Sequence, residues 1–203
     1  MDRSRVHELH YITHVANVVS ILDRGIPSHH EAGRRVSSHV TVAEAAVQER
    51  RSIKRVPIGD SSRALHDYAN LHLHARNAML RALIARYDGE LAVLAVDSRV
   101  LDVDGVVVTD RNAAAMIAKF EPATVGMEQL DEAAVYAEWW NDSVDSRQRR
   151  MAEVLVPGLV PPDFILHAYV RNGATAQRLL DQLGDRTLEI RVDGPLVFDG
   201  SRG

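Results

Sequence analysis

The chain has 203 residues, of which 46% are hydrophobic and 26% charged, a balance that excludes a disordered or fibrous protein. The length predicts a single domain, residues 1–203, with a sizeable hydrophobic core. The absence of cysteine excludes disulfides, a thiolate nucleophile and a cysteine zinc site. The net charge of −4 gives no global signature of nucleic-acid binding. Because no apolar run follows Met1 and no stretch of about 18 apolar residues occurs, we expect no signal peptide, no membrane span and a cytoplasmic location.

The hydrophobic pattern predicts short strands interspersed with short helices, which together make an α+β domain. In the first half of the chain we predict a strand over His10–Val15, a helix from Asn17 to a cap at Gly25, a loop over 28–40, a helix over Val42–Arg51, a loop over Val56–Ser62, a strand or extended segment over His66–His74 and a helix over Ala75–Tyr87. Strands are predicted next over Leu91–Val96, Val100–Val103 and Val106–Thr109, followed by helices over Asn112–Lys119 and Asp131–Trp140. The last predicted elements are strands over Val154–Val156 and Ile165–Val170, a helix over Ala174–Leu183 and a strand over Leu188–Val192.

The common nucleotide, hydrolase and metal motifs are absent. The sequence contains no Gly-x-x-x-x-Gly-Lys, Gly-x-Gly-x-x-Gly or Gly-x-Ser-x-Gly. Arginines and backbone amides must therefore hold the phosphates of any bound nucleotide. The histidines include the pairs His29-His30, His72-x-His74 and His7-x-x-His10, but no third ligand has a recognisable spacing, so we expect no metal.

Glu153 is the most informative acidic residue. It stands at the entrance to an apolar strand, directly after the basic stretch Arg147-Gln-Arg-Arg. One interpretation is an exposed edge residue. The other is a carboxylate at the mouth of a cleft, where it stabilises an oxocarbenium-like transition state or accepts a proton. Arg51 has the planar fork that pairs bidentately with a pyrophosphate.

Other polar stretches are open to two interpretations each. On a strand, Tyr11 and Thr13 share one face and His10, Ile12 and His14 the other, and such groups can hydrogen-bond a sugar or an amide. Thr109 or Asp110 is expected to cap the helix predicted to begin at Asn112. The basic clusters are either solvated helix faces or tracks for a phosphate backbone; they comprise Arg50, Arg51, Lys54 and Arg55, and Arg147, Arg149 and Arg150.

Taken in order, these stretches resemble the DarT family, NAD-dependent toxins that transfer ADP-ribose onto nucleobases in DNA. The order and spacing of the pieces are specific, and they run nearly the length of the chain. They are Tyr11-Ile-Thr-His-x-x-Asn with Ile21-Leu-x-x-Gly25, Gln48-Glu-Arg-Arg-x-x-x-x-Val-Pro57, Leu65-His-Asp-Tyr68, Arg76-Asn-x-Met-Leu80, Thr109-Asp-Arg-Asn-Ala and Ala152-Glu-Val-Leu-Val156.

The resemblance implies a compact ADP-ribosyltransferase fold, two small packed β-sheets with surrounding helices, that uses NAD as substrate and no metal. It implies that Glu153 is catalytic and that Arg51 both contacts NAD and is needed for activity. The remaining implied NAD-binding residues are His10, Tyr11, Thr13, His14, Asn17, Tyr68 and His72. The implied DNA-binding residues are Arg76, Asn77, Asn112, Arg147 and Arg150.

The sequence departs from the thymidine-modifying members at positions that lie near the acceptor base in this family. Those members tend to carry Tyr-Val-Pro-Phe-Tyr-Phe, where this chain reads Tyr68-Ala-Asn-Leu-His-Leu-His74, and a histidine where it has Asn112. The pattern resembles the guanine-modifying branch, so we expect guanine as acceptor, with thymine next. The opening motif is also shifted, since His10-Tyr11 stands where the thymidine branch often has Tyr-His.

The family also implies partners. The acceptor base must be unstacked, which favours single-stranded DNA. A separate antitoxin that removes the ADP-ribose is expected, either a macrodomain protein of the DarG type or a NADAR-type hydrolase. Two other classes stay open: a transferase that modifies RNA or protein, and a catalytically inactive NAD-binding or interaction domain.

Overall fold

The computed structural model describes residues 1–35, 39–193 and 196–197. The strands are β1 (Glu8–His14), β2 (Ile26–Pro27), β3 (Arg55–Ile58), β4 (Ser61–Ala64), β5 (Tyr68–His72), β6 (Leu91–Asp97), β7 (Val107–Thr109), β8 (Phe120–Pro122), β9 (Glu153–Pro157), β10 (Leu159–Val160), β11 (Ile165–Val170) and β12 (Glu189–Val192). The α-helices are α1 (Val18–Arg24), α2 (His29–Arg35), α3 (Ala45–Ser52), α4 (Ala78–Arg86), α5 (Ala123–Gln129), α6 (Glu132–Val135), α7 (Val144–Arg149) and α8 (Gly173–Leu183). Among the described residues, no helix is long and apolar enough to cross a bilayer.

The central sheet consists of two halves that meet at one residue pair. Its order is β12-β11-β6-β1-β5-β9-β7-β8. Strands β1 and β6 pair along their whole length, whereas β1 and β5 are joined only where His10 lies opposite His72. The sheet therefore divides into a first half, β12-β11-β6-β1, and a second half, β5-β9-β7-β8. Small antiparallel ribbons, β2–β10 and β3–β4, flank it.

The two half-sheets share one apolar core, which fixes their relative position. Leu94 of the first half packs in the same cluster as Leu71 and Val154 of the second, and all three are fully buried. Burial of each such side chain contributes roughly 1.5–3 kcal/mol. A second cluster joins α4 to β1 and β6 through Ile12 and Leu80. The α+β class predicted from the sequence is confirmed.

Local signals explain the helices that were predicted. Helix α4 begins after Asn77, whose side chain accepts a hydrogen bond from the Leu80 amide, and α8 begins after Asn172 in the same way. Helix α1 ends at Gly25, whose φ of +82° and ψ of −178° are essentially restricted to glycine.

Two predicted loops are wrong. Part of the segment 28–40 forms α2, because Ser28 accepts a hydrogen bond from the Glu31 amide in the manner of an N-cap. Residues 36–38 of that segment lie outside the described residues. The segment predicted as a loop over Val56–Ser62 is a hairpin of β3 and β4 that turns at Gly59 (φ +53°).

Three further predictions fail, two of them where a side chain closes a local turn. The predicted strand over Val100–Val103 is mostly a 3₁₀ turn, Ser98–Asp102, started by the Asp97 carboxylate. The predicted helix over Asn112–Lys119 is absent; instead, the Asp110 carboxylate accepts from the Lys119 amide (2.9 Å) and closes a loop. The helix predicted over Asp131–Trp140 shrinks to α6, and β8 and α5 were not predicted.

Candidate active site

A cleft of about 420 Å³ opens where the two half-sheets meet. Its walls come from β1, α1, α2, α3, β5 and α4, together with the segment 39–44, which follows the undescribed residues. The volume lies within the range of small-molecule sites. The predicted site residues that line it are Tyr11, Thr13, Asn17, Arg51, Tyr68, His72, Asn112 and Glu153.

The Glu153 carboxylate lies at the base of this cleft and is fixed from two sides. The Arg51 Nη1 atom donates to both of its oxygens, at 3.2 and 3.0 Å, and the Ala113 amide donates to Oε1 at 3.0 Å. Glu153 is 1% exposed and Arg51 is 6% exposed. The interpretation of Glu153 as an exposed edge residue is therefore wrong.

Thr109 fixes the backbone beneath the carboxylate. Its hydroxyl accepts from the Glu153 amide (3.1 Å) and donates to the Arg111 carbonyl (2.6 Å). Thr109 was expected to cap a helix, but it instead joins the end of β7 to the start of β9. The Asn112 side chain accepts from the Ala114 amide (2.8 Å), which shapes the turn that presents the Ala113 N–H to Glu153.

Asn17 holds one wall of the cleft. Its side-chain amide donates to the Val40 carbonyl and the Thr13 hydroxyl, and its oxygen accepts from the Val40 amide. These contacts attach the segment around Val40 to β1 and fix the Thr13 hydroxyl beside the cleft.

Three buried polar atoms of the cleft residues have no hydrogen-bond partner among the described residues. They are Tyr68 Oη, His72 Nδ1 and His66 Nε2. Buried polar groups in proteins are almost always paired, so these atoms fit a polar ligand. Burial lowers the pKa of His72, although Glu153 opposes the shift, and the imidazole is therefore neutral at pH 7.

Two predicted NAD-binding residues do not line the cleft. His10 contacts the Glu8 carboxylate (3.2 Å), and His14 accepts from the Ala16 amide (3.1 Å). Burial raises the pKa of Glu8, but hydrogen bonds from His10 and Tyr169 outweigh it and lower the pKa to about 2. Both histidines therefore have structural contacts and are not among the residues that line the cleft.

Two predicted DNA-binding residues also have structural contacts instead. Asn77 is fully buried as the cap of α4. Arg150 is 2% exposed and donates to the carbonyls of Arg76 and Val135. Burial lowers the pKa of Arg150 to about 10, so it remains charged at pH 7. We therefore withdraw Asn77 and Arg150 as DNA contacts; Arg76 and Arg147 stay predictions.

Three contributors to the cleft were not predicted from the sequence. The Ala113 amide was missed because a backbone donor leaves no residue signature. His29 and His66 lie side by side in the cleft wall, with ring centroids 4.2 Å apart. The sequence suggested His29 only as part of a metal pair, and it assigned His66 no role in the site.

Comparison with known proteins identifies similar chains. A family model described as DarT, an ssDNA thymidine ADP-ribosyltransferase, matches residues 10–196. A DNA ADP-ribosyl transferase–DNA ADP-ribosyl glycohydrolase fusion protein of Thermosipho africanus is 30% identical over 197 residues. The match covers 96% of this chain but 50% of the relative, so the chain spans half of that protein's length. A DNA ADP-ribosyl transferase of Thermus sp. is 30% identical over 157 residues, 73% of each chain.

Solved structures agree with the fold. Thermosipho africanus DarTG in complex with ADP-ribose superposes with a TM-score of 0.83 at 29% identity, covering 95% of this chain and 51% of that one. Thermus sp. 2.9 DarT in complex with ADP-ribosylated ssDNA gives a TM-score of 0.81 at 24% identity, covering 94% and 96%. The expected ADP-ribosyltransferase fold is confirmed.

Proposed function

The chain belongs to the DarT family, and from this premise we propose that it transfers ADP-ribose from NAD onto a nucleobase of single-stranded DNA and releases nicotinamide. The observation that carries the proposal is the buried Glu153 carboxylate. It lies in a cleft whose volume is that of small-molecule sites, and the Arg51 guanidinium and the Ala113 amide hold it in place. Unpartnered polar atoms of Tyr68 and His72 line the same cleft.

NAD fits this cleft with its pyrophosphate against Arg51 and its nicotinamide ribose beside Glu153. Arg51 contacts the Glu153 carboxylate through its Nη1 atom. Its Nη2 and Nε atoms form no hydrogen bond with the described residues, so they can donate to a phosphate. The hydroxyls of Thr13 and Tyr68 and the His72 imidazole supply polar contacts to the ribose or carboxamide groups.

The reaction breaks the bond between the ribose C1′ and the nicotinamide nitrogen, and the electron pair leaves with nicotinamide. Positive charge develops on C1′ and the ring oxygen, where the Glu153 carboxylate stabilises it. A nitrogen of the acceptor base then forms the new bond to C1′. The proton of that nitrogen passes to Glu153, which is the nearest base to the reacting carbon in this arrangement.

We propose guanine as the acceptor base, with thymine as the alternative. The support is Asn112, which lines the cleft one residue before the Ala113 amide that holds Glu153. The Asn112 oxygen already accepts from the Ala114 amide, so its NH₂ group is the part that can donate to an acceptor on a base edge. Arg76 and Arg147 are proposed to contact the DNA backbone. Because the net charge is −4, we expect weak DNA binding that depends strongly on salt.

Mass spectrometry of single-stranded oligonucleotides incubated with the protein and NAD tests this function. Four oligonucleotides, each lacking one base, are compared. Loss of the ADP-ribose adduct only without guanine supports the full proposal. Loss only without thymine keeps the DNA transferase and overturns the assignment of guanine. Absence of any adduct while NAD is consumed in the presence of RNA or protein indicates another acceptor, which digestion of the labelled product with RNase or protease identifies. NAD left intact with every acceptor indicates an inactive binding domain.

Matched variants test the role of Glu153. Glu153→Gln keeps the size and shape of the side chain but removes its charge and replaces one acceptor oxygen with a donor NH₂ group, and we expect adduct formation to fall by about 10²–10⁴-fold. The control is Glu49→Gln, an exposed glutamate on α3, which is expected to keep wild-type activity. Full transferase activity in Glu153→Gln would rule out the role given to this carboxylate.

We also propose that the protein is the toxin of a toxin–antitoxin pair. The support is the relative from Thermosipho africanus, which joins a transferase to a DNA ADP-ribosyl glycohydrolase in one chain. The proposed partner is a separate hydrolase, of the DarG macrodomain or the NADAR type, that removes the modification. Co-expression with each hydrolase type should restore growth of cells that the wild-type chain arrests. Cells that express the Glu153→Gln variant should need neither.

A further inference from the structure

A histidine cluster adjoins Arg51 at the cleft wall. His66, in the 3₁₀ turn Leu65–Asp67, stacks on His29, the first residue of α2, with ring centroids 4.2 Å apart. His30 lies edge-on to His66 at 5.6 Å. His29, His66 and Arg51 line the cleft, whereas His30 is not among the lining residues.

Two histidines of the cluster, His29 and His66, have no carboxylate partner among the described residues, because the neighbouring carboxylates contact other members. The Asp67 carboxylate is 2.7 Å from His30 Nδ1, and the Glu153 carboxylate pairs with Arg51. Neither His29 nor His66 forms an ion pair with a carboxylate of the described residues. His66 is 6% exposed, and its Nε2 atom is fully buried without a hydrogen-bond partner among those residues.

An anion is the ligand that this arrangement fits. The His29 and His66 rings and the Arg51 guanidinium can each carry positive charge, and their charged forms repel one another. A bound anion would remove this repulsion and stabilise the charged forms. A metal ion fits poorly, because the described residues contain no group of three or more ligating side chains that could hold one. The pyrophosphate group of NAD would bring two negative charges into this cleft, since it is expected against Arg51.

We propose that His29, His66 and Arg51 form an anion site for the NAD pyrophosphate, and that His66 takes up a proton when the phosphates bind. This inference rests on the proposed function. It adds two residues and a pH dependence to the site, because the affinity for NAD then increases as the pH falls.

The electrostatics of the free protein agree with this geometry. Burial, with the charges of His29 and Arg51 and then His30, lowers the pKa of His66 to about 4, and Asp67 opposes the shift. Burial, with His30, His39 and Arg51, lowers the pKa of His29. A bound phosphate reverses the sign of the field and raises both pKa values, so protonation and binding are linked.

Calorimetry with carba-NAD⁺ tests the proposal without turnover. Binding is measured at pH 6 in buffers of different ionisation enthalpy, which gives the number of protons taken up. We expect about one proton, and an affinity that rises by up to about tenfold for each pH unit between pH 7 and 5. The same titration with an oligonucleotide alone should show no such uptake.

Glutamine variants identify the histidine that takes up the proton when carba-NAD⁺ binds. His66→Gln should bind carba-NAD⁺ with little proton uptake and a flat pH profile, and His29→Gln should reduce the uptake. His7→Gln, which removes an exposed imidazole outside the cleft, should behave as wild type. The His29 ring is exposed, so its variant remains informative if His66→Gln fails to fold.

The outcomes separate this inference from the function on which it rests. Binding of carba-NAD⁺ without proton uptake overturns the anion site but leaves the transferase intact, as adduct formation shows independently. Proton uptake with the oligonucleotide alone assigns the site to DNA phosphate and overturns the dinucleotide assignment. Failure to bind carba-NAD⁺, together with absence of adduct, overturns both.

Discussion

Removing the charge of Arg51 tests whether a buried ion pair holds the Glu153 carboxylate. The Arg51 and Glu153 side chains are 7% and 1% exposed, with a nitrogen–oxygen distance of 3.0 Å. Removal of one partner from a buried pair costs about 3–5 kcal/mol, because the other charge is left uncompensated. The Ala113 amide still donates to the carboxylate in Arg51→Gln. We therefore expect the free energy of unfolding to fall by about 3 kcal/mol, the lower end of that range, and Tm to fall by roughly 6–12 °C.

Urea unfolding measures this loss. Trp140 is 5% exposed and becomes solvated on unfolding, so its fluorescence reports the transition, and far-UV circular dichroism provides the second probe needed to establish two-state behaviour. The control is Arg50→Gln, an exposed neighbour on α3, which is expected to change the free energy of unfolding by less than about 0.5 kcal/mol.

A double-mutant cycle isolates the interaction itself. The double variant Arg51→Gln/Glu153→Gln removes both charges, so it is expected to be more stable than the sum of the single changes by at least about 1 kcal/mol. Wild-type stability of Arg51→Gln would contradict a buried ion pair. So would a double variant whose loss of unfolding free energy equals the sum of the two single losses. Either result would mean that the pair is solvated or uncharged in solution.

Three other predictions concern stability. Gly25→Ala should lower Tm, since an added Cβ would clash with the Val160 backbone oxygen and the Gly25 dihedral angles suit glycine alone; Gly173→Ala, where an added Cβ meets open space, should not. Asn77→Ala should cost at least about 1 kcal/mol of unfolding free energy through loss of the α4 cap, and the folded variant should bind oligonucleotides like wild type. Because the folded-state pKa of Glu8 is about 2, below its ordinary value of 4.5, its contribution to stability is present above pH 4.5 and is lost as the pH falls towards 2. In urea unfolding at pH 5, 4 and 3, Glu8→Gln should reduce the fall in the free energy of unfolding with decreasing pH. An unchanged fall would contradict this role of Glu8.

The elements that the sequence predicted well have local causes. Strand β6 is an uninterrupted apolar run, and α8 has an amphipathic repeat with an asparagine before it and Gly184 after it. The end of α1 at Gly25 likewise follows from the glycine itself. Where side chains compete with the backbone, local patterns fail: the alanine-rich stretch after Asn112 is a good helix former, yet Asp110 closes it into a loop.

By itself, the sequence determined the α+β class, the family resemblance and the identity of Glu153 and Arg51 as the residues to examine. Only the tertiary structure decided that Glu153 is buried and that a guanidinium 102 positions away contacts it. It likewise brought His29 beside His66 and aimed the Ala113 amide at the carboxylate. The physical reason is that helical and strand periodicity reports only neighbours along the chain. Charge pairing, burial and backbone donors instead depend on which strands meet. Here one β1–β5 residue pair, His10 opposite His72, and a shared apolar core join the halves that form the cleft.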